Sequence, residues 1–156
     1  MRLWRLSAAH FADATDGGYG LLFDGRWNAA GRPVTYAATS PALCVLEKLV
    51  HVEDPRLLPE LAMISYDVPD EIKLDRREMG ELPVDWRERE SFTQQIGTEW
   101  LDGLSAALLT VPSAIVAVAD GPDRNVLINP RHPDARRISI ARIEPFILDV
   151  RLLRKG

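Results

Sequence analysis

The 156 residues contain one cysteine, Cys44. An internal disulfide is therefore excluded, as are zinc sites that need paired cysteines. His51 and Glu53 form the His-x-Glu of a zinc deaminase, but the Pro-Cys-x-x-Cys that would complete it is absent, so no metal is expected. Cys44 reads instead as a small buried hydrophobe. No run approaches the roughly 20 apolar residues of a membrane span, and Met1-Arg2-Leu3-Trp4-Arg5-Leu6 lacks the continuous apolar stretch of a signal peptide. The expected setting is the cytoplasm. A basic excess is also missing: 19 Lys and Arg against 23 Asp and Glu leave a net charge of −4, which argues against direct nucleic-acid binding. Arg76-Arg77 and Arg136-Arg137 then read as solvated faces. There is no glycine-rich dinucleotide fingerprint, no Gly-x-Ser-x-Gly elbow, and no repeat or low-complexity tract to divide the chain.

What is present is the balance of a globular protein, 46% hydrophobic and 27% charged residues. A chain of this length supports one well-buried core, so residues 1–156 are read as a single domain. Within it, Gly25 to Glu47 gathers chemistry. Arg26, Trp27 and Asn28 supply a charge, an aromatic face and an amide, Tyr36 follows on a strand, and Glu47 sits on a helix among apolar residues.

Periodicity and punctuation give the elements. Leu3–Leu6 reads as a first strand, from which Arg5 could reach a cleft, and Ala12–Gly25 as a loop. Val34–Ala37 reads as a strand. Ser40 as N-cap and Pro41 at the first helical position start a helix that runs to about His51 and, being apolar almost all round, should be deeply packed. On that helix Glu47 shares a face with Leu43 and Val50, so its carboxylate needs a ligand, an arginine or solvent. Leu61–Val68 reads as a core strand, Ile72–Leu74 as a short one and Trp86 as an anchor. Ser91-x-x-Gln94 suggests a capping box opening a helix whose core stripe is Phe92, Ile96, Trp100, Leu101 and Leu104. The run 108–118 is too β-branched for a helix and is interrupted by Pro112, which aims Ser113 locally. Asn125–Ile128 reads as a strand, His132-Pro133-Asp134 as a loop or short helix start, and Ile143–Leu153 as a closing strand.

Taken together, Gly25-Arg26-Trp27-Asn28, Gly31, Val34-x-Tyr36, Leu46-Glu47, Trp100-Leu101, Val111-Pro112-Ser113-Ala114 and Asn125-Val126-Leu127-Ile128-Asn129-Pro130-x-His132-Pro133 resemble the RES-domain family, toxins of bacterial RES–Xre toxin–antitoxin systems. The resemblance runs from about Leu3 to Leu152. It implies an α+β fold similar to ADP-ribosyltransferases, with a mixed or antiparallel β core split around an NAD⁺ cleft and flanking helices. It implies, too, that NAD⁺ is the substrate and its nicotinamide–ribose bond is broken, by phosphorolysis with inorganic phosphate as co-substrate, by hydrolysis, or by ADP-ribosylation of a protein. The family's Arg, Glu and Ser match Arg26, Glu47 and Ser113. The implied roles are charge stabilisation for Glu47, a diphosphate grip for Arg26 with Arg5 second, an aromatic face for Tyr36 and a ribose-orienting hydroxyl for Ser113; Asn28, Asn125 and His132 match further binding positions. A partner is implied as well, an Xre-type antitoxin whose C-terminal segment blocks the site within a hetero-oligomer. Two other readings stay open on residue types, a Ser113/His132/Asp134 hydrolase and a non-catalytic interaction module.

Overall fold

A computed structural model describes residues 1–154. Seven strands, β1 (Arg2–Ala8), β2 (Thr35–Ala38), β3 (Leu61–Asp67), β4 (Leu74–Arg76), β5 (Leu108–Pro112), β6 (Arg124–Ile128) and β7 (Ser139–Phe146), form one mixed sheet in the order β4-β5-β6-β2-β1-β3-β7. Only β4 and β5 run parallel. The α-helices are α1 (Gly18–Leu22), α2 (Pro41–Leu49) and α3 (Glu90–Gly103). This is the expected α+β class, with one refinement. The sheet is not fully split: β1 pairs with β3 along its whole length but meets β2 at a single register pair, Trp4 opposite Ala38, so the expected division is a pinch in one sheet.

The strands β3 and β5 and most of β2 and β6 are buried because both faces of the sheet are covered there, while the edge strand β7 is largely exposed. In β6, Val126 and Ile128 join Leu3, Ile64, Tyr66 and Leu108 on one face, while Leu127 between them joins Trp27, Trp86, Trp100, Leu101, Leu109 and Val111 on the other. The α2 helix covers that second face nearer β1, with Leu43 and Cys44 against Ala38, Met63, Trp4 and Leu6. Each fully buried Leu or Val contributes about 1.5–3 kcal/mol relative to an exposed one, so this double layer is the main source of stability.

The α2 start is built as the sequence indicates. The Ser40 side chain accepts from the Leu43 N–H at 3.2 Å, Pro41 occupies the first turn, and the Ser40 hydroxyl donates to Asp123 at 2.6 Å. Ser40→Ala removes both the cap and the tie to the 122–124 segment, so a loss of about 1–2 kcal/mol is expected in denaturant unfolding. Deep packing of α2 is not what the structure shows. Only Leu43 and Cys44 are buried, while Leu46 and Val50 are exposed, because the helix lies on the sheet along one stripe. Burial and a hydrogen bond from Cys44 Sγ to the Trp4 carbonyl keep the thiol protonated, its pKa pushed up to about 12 chiefly by desolvation.

Four further expectations shift. The 12–25 segment contains α1, a single helical turn entered through Gly17 in the left-handed conformation. The short strand is Leu74–Arg76 rather than 72–74, because pairing of Leu74 with Leu108 sets its register. The last strand lies earlier, at Ser139–Phe146, as an edge strand where Pro145 is tolerated, and Val150–Leu153 is a 3-10 turn. The α3 helix begins at Glu90 with Arg89 in the N-cap position and no side-chain cap, so Ser91 is not a cap, and Gln94 turns elsewhere.

Candidate active site

Glu47, Ser113 and Asn125, far apart in sequence, meet on the α2 side of the sheet. Glu47 projects from the last turns of α2, Ser113 follows the end of β5, and Asn125 is the second residue of β6. The pairings Ala38–Asn125 and Val111–Asn125 put Asn125 on the same sheet face as Tyr36. One carboxylate oxygen, Glu47 Oε1, accepts from Asn125 Nδ2 at 2.6 Å and from Ser113 Oγ at 3.0 Å. Two donors on one oxygen restrain the carboxylate and leave Oε2 without a hydrogen bond. Glu47 is half-buried, so its answer to apolar helical neighbours is this pair of donors rather than escape to solvent.

Ser113 itself is fully buried, and its oxygen is committed. It accepts the N–H groups of Ile115 and Val116 at 3.0 and 3.1 Å while donating to Glu47. The hydroxyl thus orients the carboxylate and pins the chain after β5. No capacity remains for an attacking nucleophile or a ribose contact of its own.

Arg26, Trp27, Asn28 and Tyr36 form a second assembly. Gly25 and Asn28 close a tight turn, with the Gly25 N–H donating to the Asn28 carbonyl at 2.9 Å. The Tyr36 hydroxyl accepts the Trp27 N–H at 3.0 Å and donates to Asn28 Oδ1 at 2.8 Å; Asn28 Nδ2 then donates to the Phe23 carbonyl. Only glycine fits at position 25, where a Cβ would stand 2.5 Å from Asn28 Oδ1 and 2.7 Å from the Tyr36 oxygen. Burial raises the Tyr36 pKa well above that of an ordinary phenol, with Tyr19, Glu90 and Glu47 adding to the rise against the Trp27 hydrogen bond, so the hydroxyl remains a donor. Its oxygen therefore clamps the arginine loop, while the ring is half-buried. Arg26 donates one N–H to the Arg87 carbonyl at 2.8 Å, which uses one of its five donors.

The remaining predicted residues have other surroundings. Arg5 lies on the sheet face opposite α2: it pairs with Ile64 in the register, donates to the carbonyls of Phe11 and Ala12 at 3.0 and 3.1 Å, and stands over the Tyr66 ring. It is separated from Glu47 by the sheet because strand alternation sends Trp4 and Leu6, not Arg5, toward α2. His132 caps a 3-10 turn, its Nδ1 accepting the Asp134 N–H at 3.2 Å, and Asn28 is fully buried as a structural amide. A Ser113–His132–Asp134 triad does not assemble, since Ser113 is bonded to Glu47. Among the described residues no group of three His, Cys, Asp or Glu is placed to hold a metal ion. No helix among them is long and apolar enough to cross a membrane.

With this geometry in view, residues 2–149 match the RES domain. The chain belongs to the RES family. Relatives over essentially the whole length include proteins named Toxin Res from Pseudomonas putida, 42% identical over 97% of this chain and 99% of that protein, and from Photorhabdus laumondii, 37% identical over 99% and 98%. A protein from Sphingobium named Prs ADP-ribosylating toxin is 35% identical over 98% of this chain and 97% of its own. Among solved structures, the Mycobacterium tuberculosis MbcT–MbcA toxin–antitoxin complex contains a chain with the same fold, at a TM-score of 0.71 and 20% identity over 93% of this chain and 83% of that one. In this RES domain, Arg26, Glu47 and Ser113 thus occupy two neighbouring assemblies, one built on the Gly25–Asn28 turn and one on Glu47.

Sequence patterns did not reveal Thr93, Gln94, Gly97 and Thr98 of α3, which touch the main chain of the arginine loop. The apolar stripe expected on α3 is rotated: its buried residues are Thr93, Gly97, Trp100 and Leu101. The available signal was the helical spacing of Thr93 and Gly97 with Trp100.

Proposed function

We propose that this RES protein is the toxin of a toxin–antitoxin pair and that it breaks the nicotinamide–ribose bond of NAD⁺. The observation that carries the reading is the carboxylate of Glu47, half-buried and held by two donors on Oε1 with Oε2 left for a substrate. Loss of nicotinamide makes the ribose oxocarbenium-like, and a fixed carboxylate beside the anomeric carbon stabilises that positive charge without having to reorganise. In the proposed step the bond from C1′ to the nicotinamide nitrogen breaks, its electron pair leaves with neutral nicotinamide, and an oxygen of phosphate or water bonds to C1′, with water losing a proton to solvent. Glu47 supplies the charge, with Ser113 and Asn125 as the residues that orient it. Arg26 grips the diphosphate through donors other than the one bonded to Arg87, and the Tyr36 ring lines the nicotinamide–ribose end.

A second reading, transfer of ADP-ribose to a protein, is favoured by the Sphingobium relative named an ADP-ribosylating toxin. It uses the same bond cleavage with a protein nucleophile in place of phosphate or water. A protein with this activity requires restraint in the cell, and the relatives and the MbcT–MbcA complex support an antitoxin partner. We place that partner, an Xre-type protein, with its C-terminal segment over Glu47 in a hetero-oligomer.

The test is incubation of folded, antitoxin-free protein with NAD⁺, with and without inorganic phosphate, followed by mass spectrometry. Release of nicotinamide is expected, with phosphorylated ADP-ribose marking phosphorolysis and plain ADP-ribose marking hydrolysis. ADP-ribose found only on an added cell-extract protein supports the second reading. Intact NAD⁺ under all three conditions refutes both.

A further inference from the structure

The Gly25–Ala29 segment carries Arg26 and is held on one side by the Tyr36 hydroxyl and by its own Gly25–Asn28 turn. The α3 helix holds the other side through one face. Thr93 Oγ1 lies 2.6 Å from the Arg26 carbonyl, Gln94 Nε2 donates to the Gly25 carbonyl at 3.0 Å, and the Ala29 N–H donates to Thr98 Oγ1 at 3.1 Å. Residues 93, 94, 97 and 98 are spaced three and four apart, which is one face of a helix. At its centre Gly97 is buried, and a Cβ there would overlap the Trp27 carbonyl, so the helix backbone lies directly on the loop backbone. Thr93 is completely buried, and its other partner is the Glu90 carbonyl one turn back. A hydroxyl carries only one proton, and the shorter distance is to Arg26.

From this we infer that α3 is the template that sets the position of Arg26, and that Thr93, Gln94 and Gly97 are positioning residues for the reaction proposed above. The inference rests on that reading for its kinetic consequence and on the geometry alone for its structural one. Backbone contacts carry the effect: the helix meets carbonyls and an amide of residues 25, 26, 27 and 29, while the guanidinium donates to the Arg87 carbonyl, ahead of the helix. A loosened loop then costs the diphosphate grip in the ground state and the transition state alike, which raises KM and spares kcat. A helix serving only the core would, when weakened, leave fewer active molecules, which lowers apparent kcat at unchanged KM.

The experiment compares wild type with Thr93→Val, Gln94→Leu, Gly97→Ala and the conservative Thr93→Ser. Two readouts are taken, KM and kcat for NAD⁺ consumption and the rate of tryptic cleavage after Arg26, identified by a new N-terminus at Trp27. Thr93→Val and Gln94→Leu are expected to raise KM about tenfold and to accelerate that cleavage by about the same factor, since loss of a buried hydrogen bond changes a local equilibrium on this scale. Thr93→Ser should restore wild-type values in both. Gly97→Ala should show the largest change, and if it does not fold, the two polar variants still decide the matter. Unchanged cleavage with unchanged KM, or a fall in kcat alone, overturns the template. If wild type leaves NAD⁺ intact, the proposed function falls and the cleavage rates alone judge the template.

Discussion

Glu47→Gln is expected to lower NAD⁺ consumption by on the order of 10³-fold, with a loss of stability of only about 1 kcal/mol. The substitution keeps the shape and the oxygen that accepts from Ser113 and Asn125, at 3.0 and 2.6 Å, but removes the negative charge. A single preorganised group aimed at developing charge is worth about 10²–10³ in turnover, and here the charge itself is lost rather than one hydrogen bond to it. The two hydrogen bonds weaken from charge-assisted to neutral, a difference of about 1 kcal/mol that urea unfolding would register. If Glu47 is instead part of a purely structural network, the order of effects reverses. Stability would fall while any NAD⁺ consumption stayed at wild-type level, and that outcome would remove Glu47 from the chemistry.

The parts of this site that were legible in the sequence are those where a local rule and a long-range one agree. Ser40-Pro41 starts α2 by chemistry that needs no tertiary partner, and Glu47 is conspicuous because a carboxylate among Leu43, Leu46 and Val50 breaks the helical pattern. The strands around Tyr36 and Asn125 follow from β-branched and apolar runs. Long-range hydrogen bonding was not legible. Nothing local distinguishes an Asn125 that binds a substrate from one that donates to Glu47, or a Ser113 that touches ribose from one whose oxygen is filled by two amides.

Helix packing was legible only as far as apolarity reports it. Counting apolar residues on α3 selected Phe92 and Ile96, but the buried face runs through Thr93 and Gly97, because what it packs against is the polar backbone of a loop. The same count made α2 too deep, since Leu46 and Val50 face away from the sheet. Ser91 failed as a cap for a simpler reason. The helix starts at Glu90, so the Ser-x-x-Gln spacing falls inside the first turn, and Gln94 is drawn to the Gly25 carbonyl 69 residues away in sequence. Arg5 was undecidable without knowing which face of β1 meets α2.

Ser113→Ala should affect both folding and turnover, and the balance between them separates its two jobs. Removing Oγ strips the Ile115 and Val116 N–H groups of their acceptor at a fully buried position, and each unsatisfied donor costs about 1–3 kcal/mol. A loss of about 2–4 kcal/mol is therefore expected in urea unfolding, at the large end of single-residue effects. It also deletes one of the two donors that hold Glu47 Oε1, leaving Asn125 as the hinge about which the carboxylate can turn. Turnover of the folded fraction should then fall by about 10²-fold, because a misdirected carboxylate loses most of its electrostatic value at C1′. Asn125→Ala leaves the two amides satisfied by Ser113, so it should reproduce the catalytic loss with a smaller loss of stability. Measuring both variants at a temperature where each is fully folded makes the comparison direct. If Ser113→Ala lost stability alone, with kcat intact once folded, Glu47 would be oriented by Asn125 without help, and the serine's role would be confined to pinning the turn after β5.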